Sequence, residues 1–245
     1  MNYQSARALR ITPSASMVVS LEARRMQSEG HRVVDLSLGE SDFATPDHII
    51  AAAYAAMTSG FTRYTGPAGT EELRTAIAAK LLRENGLTYG PDEITVANGA
   101  KQIIFNALLA TLEPGDEVVI PAPYWVSYTD MVVLHGGQPR VVPCGIETDF
   151  KLSPERLEAA ITERTRWLIL NSPSNPGGAA YSRDDLEAIG EVLVRHPRLF
   201  VASDEIYEHI IWGNTWFLSF AQACPQLRDR TLVVNGVSKA YARSE

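Results

Sequence analysis

One lysine near the end of the 245-residue chain stands where an enzyme would need a reactive amine. Lys239 follows Ser238 in a turn of small residues, directly after the apolar run at 232–234. The end of a buried strand shields such an amine from water, and desolvation lowers the pKa of a lysine and makes it nucleophilic. The sequence therefore offers Lys239 as a candidate imine-forming amine.

Two earlier strand ends carry groups that suit a phosphate and a flat ring. Gly99 and Ala100, followed by Lys101, lead into a predicted helix, whose free N–H groups and dipole favour an anion such as phosphate. Trp125 follows the next predicted strand, and its ring suits stacking on a flat ligand.

Two further strand ends carry an amide and a carboxylate. Asn175 lies in the loop 171–178, whose two X–Pro bonds and two glycines predict a rigid, sharply bent backbone. The hypothesis follows that one or both of these prolines are cis. Asp204 ends an apolar strand, where a carboxylate needs a partner such as a cationic ring N–H, and Tyr207 lies three residues further on.

Taken singly, each of these features has an ordinary structural explanation. A turn accounts for the glycines and prolines, core packing for Trp125, helix capping for Asp204 and a solvated position for Lys239. Five successive strand ends, each with a group suited to one ligand, favour a shared site. A nicotinamide-binding dehydrogenase is the weaker interpretation, because the G-x-G-x-x-G fingerprint is missing after a strand.

The elements that must position these residues alternate along the chain. Apolar periodicity and capping residues predict helices at 14–29, 46–57, from 71, 101–112, 125–135, from 154 and 183–195. Short apolar runs predict strands at 33–36, 94–97, 117–120, 140–143, 167–170, 199–202 and 232–234. Strands without polar alternation, separated by amphipathic helices, indicate an α/β three-layer sandwich with a mainly parallel sheet. Ligands then bind beyond the carboxyl ends of the strands.

The composition is that of an ordinary globular protein and excludes several classes of function. The formal charge is −7, which argues against nucleic-acid and anionic-membrane partners. Cys144 and Cys224 are too few for a disulfide framework or a Cys-rich zinc site, so we expect no metal and reduced thiols in the cytoplasm. Neither a signal peptide nor an apolar run long enough to span a membrane is expected.

The chain resembles the class I and II aminotransferases, which are fold-type I pyridoxal-phosphate (PLP) enzymes, and is most similar to their aspartate-aminotransferase-like subgroup. The resemblance extends from residue 10 to residue 239. It rests on the site residues above and on RITPS at 10–14, LGESDF at 38–43, RYTGPAG at 63–69 and SDEIY at 203–207.

The resemblance implies a role for each group around the PLP ring. Lys239 would form the imine with the cofactor and move the proton at the substrate Cα. Asp204 would keep the pyridine nitrogen protonated, which makes the ring a better electron sink. Tyr207 and Asn175 would bond the phenolic oxygen of the ring, and Trp125 would stack on its face.

The resemblance also implies how the phosphate is held. Gly99, Ala100, Lys101 and Ser238 would surround it in one subunit. Tyr64 would reach the phosphate of the neighbouring subunit, which implies a homodimer with a shared active site.

For the substrate, the resemblance implies contacts with Gly39, Trp125 and Asn175, of which Gly39 would meet the substrate carboxylate through its backbone. The expected substrates are an amino acid, with aspartate as the candidate, and a 2-oxo acid such as 2-oxoglutarate. Lys101 would assist a distal carboxylate of an acidic substrate.

The resemblance divides the chain into an N-terminal arm with a small-domain segment at 1–45 and a PLP-binding large domain at 46–245, incomplete at its C-terminal end. Gly177 stands where the family usually has threonine. The family pattern breaks at 243–245, before a phosphate-binding arginine, a substrate-binding arginine and the small C-terminal domain. We therefore expect little or no activity from the 245 residues alone.

Two other functions remain open at this point. The same scaffold supports other PLP reactions, such as β-elimination by a lyase. A non-catalytic remnant that keeps only the dimer surface would dimerise without a cofactor chromophore.

Overall fold

The computed structural model describes residues 3–11, 14–37, 39, 41–213 and 215–242. Its α-helices are α1 Ala15–Ser28, α2 Asp47–Thr58, α3 Glu71–Asn85, α4 Ala100–Thr111, α5 Ser127–Leu134, α6 Pro154–Ala160, α7 Arg183–Arg195 and α8 Phe220–Ala223. Its strands are β1 Glu117–Ala122, β2 Gln138–Pro143, β3 Thr165–Asn171, β4 Phe200–Asp204 and β5 Thr231–Val234. Short 3-10 helices lie at Ala8–Arg10, Pro91–Glu93, Ile146–Thr148 and Pro225–Arg230.

The strands form one parallel sheet in the order β2-β1-β3-β4-β5. The chain begins in the middle at β1, moves outward to β2, and then crosses to β3 and continues outward on the other side. The strand order therefore reverses between β1 and β3, and in open α/β sheets ligands bind at such a switch point.

Alternate strand residues face two separate cores, because successive side chains of a strand point to opposite faces of the sheet. One face packs on α4 and α5 through Val118, Ile120, Trp167, Ile169, Ala202, Ile104, Leu108 and Val132. The other face packs on α6, α7 and α8 through Val119, Leu168, Leu170, Val201, Leu157, Ile189, Leu193 and Phe220. The predicted three-layer α/β sandwich with a parallel sheet is confirmed.

Helix starts follow the local capping signals. The side chain of Thr70 accepts a hydrogen bond from the backbone N–H of Leu73 at the start of α3. Ser153 does the same for α6, and Ser182 forms a capping box with Asp185 at the start of α7. These side chains satisfy N–H groups that a helix cannot satisfy itself, which is why these three predictions are confirmed.

Two predicted strands are wrong. Residues 33–36 form no strand, and Val34 and Leu36 are 78% and 90% exposed, so this apolar run finds neither a partner strand nor a core in the described ranges. Residues 94–97 are not a strand either, because Val96 N–H bonds the carbonyl of Ala68 in a loop instead of a neighbouring strand.

The four-residue helix α8 was not predicted. Of the segments that carried the resemblance, Thr12, Pro13, Leu38 and Glu40 lie outside the described residues, and so do residues 243–245, where the family pattern breaks.

Two expectations drawn from composition concern thiols and membrane spans. Cys144 and Cys224 are both free and buried. None of the helices in the described ranges combines the length and the apolar character needed to cross a bilayer.

The residue after β4 is a buried glutamate that faces α8. One carboxylate oxygen of Glu205 accepts hydrogen bonds from the hydroxyls of Ser203 and Ser219, each at 2.8 Å, and from the N–H of Phe220 at 3.1 Å. Its other oxygen has no hydrogen-bond partner in the described part of the chain. Burial raises the pKa of Glu205 to about 7, against the pull of its three donors.

The protonation of Glu205 predicts a pH-dependent stability. The folded chain holds a proton on this group up to about pH 7, whereas the unfolded chain releases it near its ordinary value of 4.5. The contribution of the protonated Glu205 to stability is therefore full below pH 4.5 and is lost as the pH rises through 7. The loss amounts to about 3 kcal/mol in the free energy of unfolding. Urea unfolding from pH 5 to 8 should show a shallower loss of stability for Glu205→Gln than for wild type. Glu163→Gln, at an exposed site, should keep the wild-type slope; identical slopes for all three would contradict the assignment.

Candidate active site

Four strands end at the same edge of the sheet and deliver the candidate residues there. Trp125 follows β1, Asn175 follows β3, Asp204 ends β4 and Lys239 follows β5. Helix α4 packs on one face of the sheet, and its N-terminus brings Lys101 to the same edge, over the ring of Trp125. Because the sheet is parallel, residues far apart in sequence come together at this edge.

Asp204 provides a buried carboxylate on the α4 and α5 side of the sheet. The residue is 3% exposed. Its Oδ2 accepts a hydrogen bond from the hydroxyl of Tyr128 at 2.5 Å, and its Oδ1 accepts one from the N–H of Ile206 at 3.3 Å. Burial raises the pKa of Asp204, and these two donors oppose that shift. No ion pair to this carboxylate occurs in the described ranges, so a cationic group from a ligand would complete it.

Tyr128 is a functional candidate that the sequence reasoning missed. It lies on α5 one turn after Trp125 and is almost completely buried. Burial, followed by the nearby Asp204 charge, raises the pKa of Tyr128 well above its usual value, so the phenol stays protonated and donates to the carboxylate. The only hint in the sequence was its position three residues after Trp125, which places both residues on one face of a helix. A tyrosine that merely packs in the core shows the same spacing.

Trp125 connects Tyr128 to the start of α4. Its ring meets Tyr128 edge to face, with centroids 5.4 Å apart and planes at 88°. The ammonium of Lys101 lies 4.8 Å from the centroid of the Trp125 ring, which is within range of a cation–π interaction. Lys101, Trp125, Tyr128 and Asp204 thus form one continuous series of contacts.

Asn175 and Tyr207 form a polar pair beside Asp204. Burial, with a contribution from the Asp204 charge, raises the pKa of Tyr207, and the polar side chain of Asn175 opposes the shift. The cis hypothesis is confirmed for both prolines of the loop, Pro173 and Pro176, and a third cis bond, before Pro123, was not predicted.

The turn into α4 has the backbone that a close anion contact requires. Gly99 is the N-cap residue and has a φ of 82°, a conformation that side-chain-bearing residues rarely adopt. A Cβ at this position would meet no atom within 4 Å, so the strain of the positive φ, not lack of space, is what favours glycine. The N–H groups of Ala100 and Lys101 begin the helix, where intrahelical acceptors are lacking.

Lys239 differs from the other three lysines of the chain. Lys80 pairs with Glu208 and Glu84, Lys151 pairs with Asp185, and Lys101 lies over Trp125. Lys239 is half-buried in the turn after β5 and has no ion pair or ring contact within the described ranges. Its amine is therefore the one lysine amine of the described chain that is not engaged with a partner.

The turn that carries Lys239 and Ser238 lies against the turn after β4. A Cβ added at Gly236 would come within 3.0 Å of the Ile206 side chain, so glycine permits this close approach. Ser238 is half-buried in the same turn as Lys239.

Two predicted site residues are not brought into this cluster. The side chain of Tyr64 is fully exposed, and Gly39 is exposed with no atom within 4 Å of a Cβ built on it. In the part of the chain that the structure describes, neither residue contacts the strand-end groups. Their predicted roles, toward a second subunit and toward a substrate, remain predictions.

Comparison with known proteins relates this arrangement to one family. The family model for aminotransferase class I and II matches residues 31–244. Over 241 residues the chain is 55% identical to the aspartate/prephenate aminotransferase of Cereibacter sphaeroides, with 98% of this chain and 60% of that protein covered. Over 238 residues it is 52% identical to the aspartate aminotransferase of Rhizobium meliloti, with 97% and 58% covered.

Solved structures agree with the sequence comparison. The crystal structure of the aspartate aminotransferase from Rhizobium meliloti superposes with a TM-score of 0.96 at 50% identity, covering 100% of this chain and 61% of that one. The aspartate aminotransferase from Thermus thermophilus with maleate gives a TM-score of 0.93 at 43% identity, covering 99% and 62%. The chain spans about 60% of the length of these relatives.

The bond from Tyr128 to Asp204 predicts the cost of removing one hydroxyl. Tyr128→Phe leaves a buried carboxylate short of a donor, so at pH 7 the free energy of unfolding should fall by about 2 kcal/mol and the pKa of Asp204 should rise. Chemical denaturation and NMR titration of the Asp204 carboxyl would measure the two effects. Tyr89→Phe is the matched control, because the buried Tyr89 hydroxyl has no hydrogen-bond partner in the described structure. Equal costs for the two variants would show that the Tyr128 bond is not what stabilises Asp204.

Proposed function

This chain belongs to the class I and II aminotransferases, and from that premise we propose that it is the cofactor-binding part of a PLP-dependent enzyme that moves an amino group between an amino acid and a 2-oxo acid. The observation that carries the proposal is the buried Asp204 carboxylate at the same sheet edge as the Lys239 amine, neither of which has an ion pair in the described part of the chain. We propose the region 46–245 as the cofactor-binding domain and 1–45 as an N-terminal arm with a small-domain segment.

The donor set at this edge fits PLP. A buried carboxylate suits a protonated ring nitrogen, a free amine suits an aldehyde, and the helix start at Gly99 suits a phosphate. When bound, PLP supplies an electron sink for the negative charge that develops at the substrate Cα.

Three residues would handle protons in the reaction. The amine of Lys239 would bind the cofactor aldehyde and later carry the proton to and from the substrate Cα. The Asp204 carboxylate, held by the Tyr128 hydroxyl, would keep the proton on the ring nitrogen, because an opposite charge favours the cationic ring. Tyr128 acts only through Asp204 and is a positioning residue.

The remaining candidates would orient the cofactor. The hydroxyl of Tyr207 and the amide of Asn175 would bond its phenolic oxygen, and the ring of Trp125 would stack on its face. The phosphate would be held at the turn of Gly99 by the N–H groups of Ala100 and Lys101 and by the hydroxyl of Ser238.

For the substrate, we propose an acidic amino acid and a 2-oxo acid. The named relatives act on aspartate, or on aspartate and prephenate, and the Thermus thermophilus structure has maleate, a dicarboxylate. Aspartate as donor, with prephenate or 2-oxoglutarate as acceptor, is therefore the proposed pair. Gly39, Trp125 and Asn175 would contact the substrate, and Lys101 would meet a distal carboxylate. The names of the relatives do not favour a β-eliminating lyase or a non-catalytic remnant.

We also propose a homodimer in the cytoplasm. Tyr64 is fully exposed and would reach the phosphate site of a second subunit. Exposed apolar side chains on α1 and α2 would supply buried area for such a contact, namely Met17, Val18, Leu21, Ile50, Tyr54 and Met57. Two free, buried thiols fit a reducing compartment.

Trapping of the cofactor tests the proposal directly. After incubation of the chain with PLP and reduction with borohydride, peptide mapping should find the pyridoxyl group on Lys239. The chain has only four lysines, so Lys80 and Lys151, which are held in ion pairs, serve as internal controls in the same digest. Label spread evenly over the four lysines, or none at all, would reject the proposed cofactor site. Lys239→Ala should abolish the site-specific label without adding label elsewhere.

The proposed acidic substrate predicts a selective effect of Lys101→Ala. If the ammonium pairs with a distal carboxylate, this variant in the PLP-loaded chain should bind aspartate about tenfold more weakly and alanine about equally well. Spectral titration of the bound cofactor with each amino acid would give the two constants. Lys151→Ala removes a lysine that pairs with Asp185 instead and should change neither constant. An equal loss for both amino acids in Lys101→Ala would mean that the lysine supports Trp125 or the cofactor and not substrate choice.

A further inference from the structure

Asn171 joins two parts of the proposed site. It is the last residue of β3 and lies directly opposite Asp204, the last residue of β4, in the parallel ladder. Its side-chain Nδ2 donates a hydrogen bond to the backbone carbonyl of Asp204 at 2.9 Å. Its Oδ1 accepts one from the backbone N–H of Asn175 at 2.7 Å.

The two contacts of this side chain require an amide. One partner is a carbonyl, which needs a donor, and the other is an N–H group, which needs an acceptor. An aspartate could accept from Asn175 but would set a carboxylate oxygen against the carbonyl of Asp204. An alanine could satisfy neither group. The contacts also fix which end of the amide carries the nitrogen.

Few other bonds tie the loop after β3 to β4. Ser174 N–H bonds the carbonyl of Ala179, and Gly178 N–H bonds the carbonyl of Ser174, so these two bonds close the loop only on itself. Ser172 N–H does bond the Asp204 carbonyl, at 3.1 Å, but it lies at the start of the loop. The Asn171 side chain reaches Asn175, the loop residue that is proposed to bond the cofactor.

The contacts form a closed circuit. Asn171 links the Asp204 backbone to the Asn175 backbone, the Asn175 side chain acts on the Tyr207 hydroxyl, and Tyr207 connects back to Asp204 through Glu205 and Ile206. In such a circuit, the separation between the Asp204 carboxylate and the pair formed by Asn175 and Tyr207 depends on one amide group.

We propose that Asn171 is a positioning residue that sets this separation. The proposal rests on the proposed function, in which Asp204 and the pair of Asn175 and Tyr207 bond different atoms of one cofactor ring. Loss of the amide would let the loop move relative to β4, so both ends of the ring could no longer be bonded at once. Asn171 itself need not touch the cofactor.

The experiment compares Asn171→Ala, Asn171→Asp and the control Ser174→Ala in the full chain. Ser174 lies in the same loop, and the structure records no hydrogen bond of its hydroxyl. The first readout, without cofactor, is hydrogen exchange of the Asn175 backbone amide by NMR. The second readout is the Kd for PLP from fluorescence titration, with the pH midpoint of the bound cofactor's absorbance.

Each variant has a distinct expected result. Asn171→Ala should speed exchange of the Asn175 amide at least tenfold and weaken PLP binding about tenfold, with a shifted absorbance midpoint. Asn171→Asp has nearly the same shape and should keep the exchange rate of the Asn175 amide within about threefold of wild type. It should nevertheless weaken PLP binding about as much as Asn171→Ala does. Ser174→Ala should match wild type in both readouts.

Several outcomes would overturn the inference. Unchanged Asn175 exchange in Asn171→Ala would mean that the amide does not hold the loop. Faster exchange with an unchanged Kd and absorbance midpoint would mean that the loop is held but does not position the site. Equal losses in Ser174→Ala would point to general loop damage. If the wild-type chain captures no PLP, the proposed function fails, and the exchange measurement alone decides whether Asn171 holds the loop.

Discussion

Asp204 keeps a carboxylate at the end of a buried strand, where desolvation disfavours its charge. Much of the neighbouring structure can be understood from that cost. Tyr128 donates at 2.5 Å and is itself buried by the packing of α5 on the sheet. The Ile206 amide supplies the second donor from the turn after β4. Both donors are neutral, so they support the negative charge without removing it, and the carboxylate retains its attraction for a cation.

The parallel sheet determines which chemical groups can meet this carboxylate. Parallel strands all end at one edge, and the reversal of strand order between β1 and β3 leaves room there. Because β4 lies between β3 and β5, Asp204 has the Asn171 amide on one side and the turn of Lys239 on the other. The apolar strand residues that fill the two cores hold this edge rigid, so the polar groups do not have to hold the fold together.

How much of this could be read from the sequence depended on whether the signal was local. The starts of α3, α6 and α7 are set by Thr70, Ser153 and Ser182, whose capping partners lie three residues away, and these were predicted. The strands predicted at 33–36 and 94–97 do not form, because a strand exists only with a partner that sequence periodicity does not reveal.

The candidate site shows the same division between local and distant information. Asp204, Asn175 and Lys239 could be proposed from their positions after apolar runs. The parts played by Tyr128 and Asn171 could not, because each depends on a contact between elements far apart in the chain. A buried tyrosine on a helix and an asparagine before a turn are ordinary in sequence. Only the meeting of β3 with β4, and of α5 with the sheet, gives them a specific role.

The neighbouring acids Asp204 and Glu205 show how the alternation of a strand assigns different surroundings to adjacent residues. They are adjacent in sequence, both buried, and both have a raised pKa, but they face opposite sides of the sheet. Glu205 faces α8, where it is bonded only by neutral hydroxyls and an amide, and burial raises its pKa to about 7. Asp204 faces the edge shared with Lys239 and the start of α4, where a cationic ligand would favour the charged form. The alternation of a single strand thus separates a structural acid from the acid proposed to bind the cofactor, and a one-residue slip of β4 would exchange them.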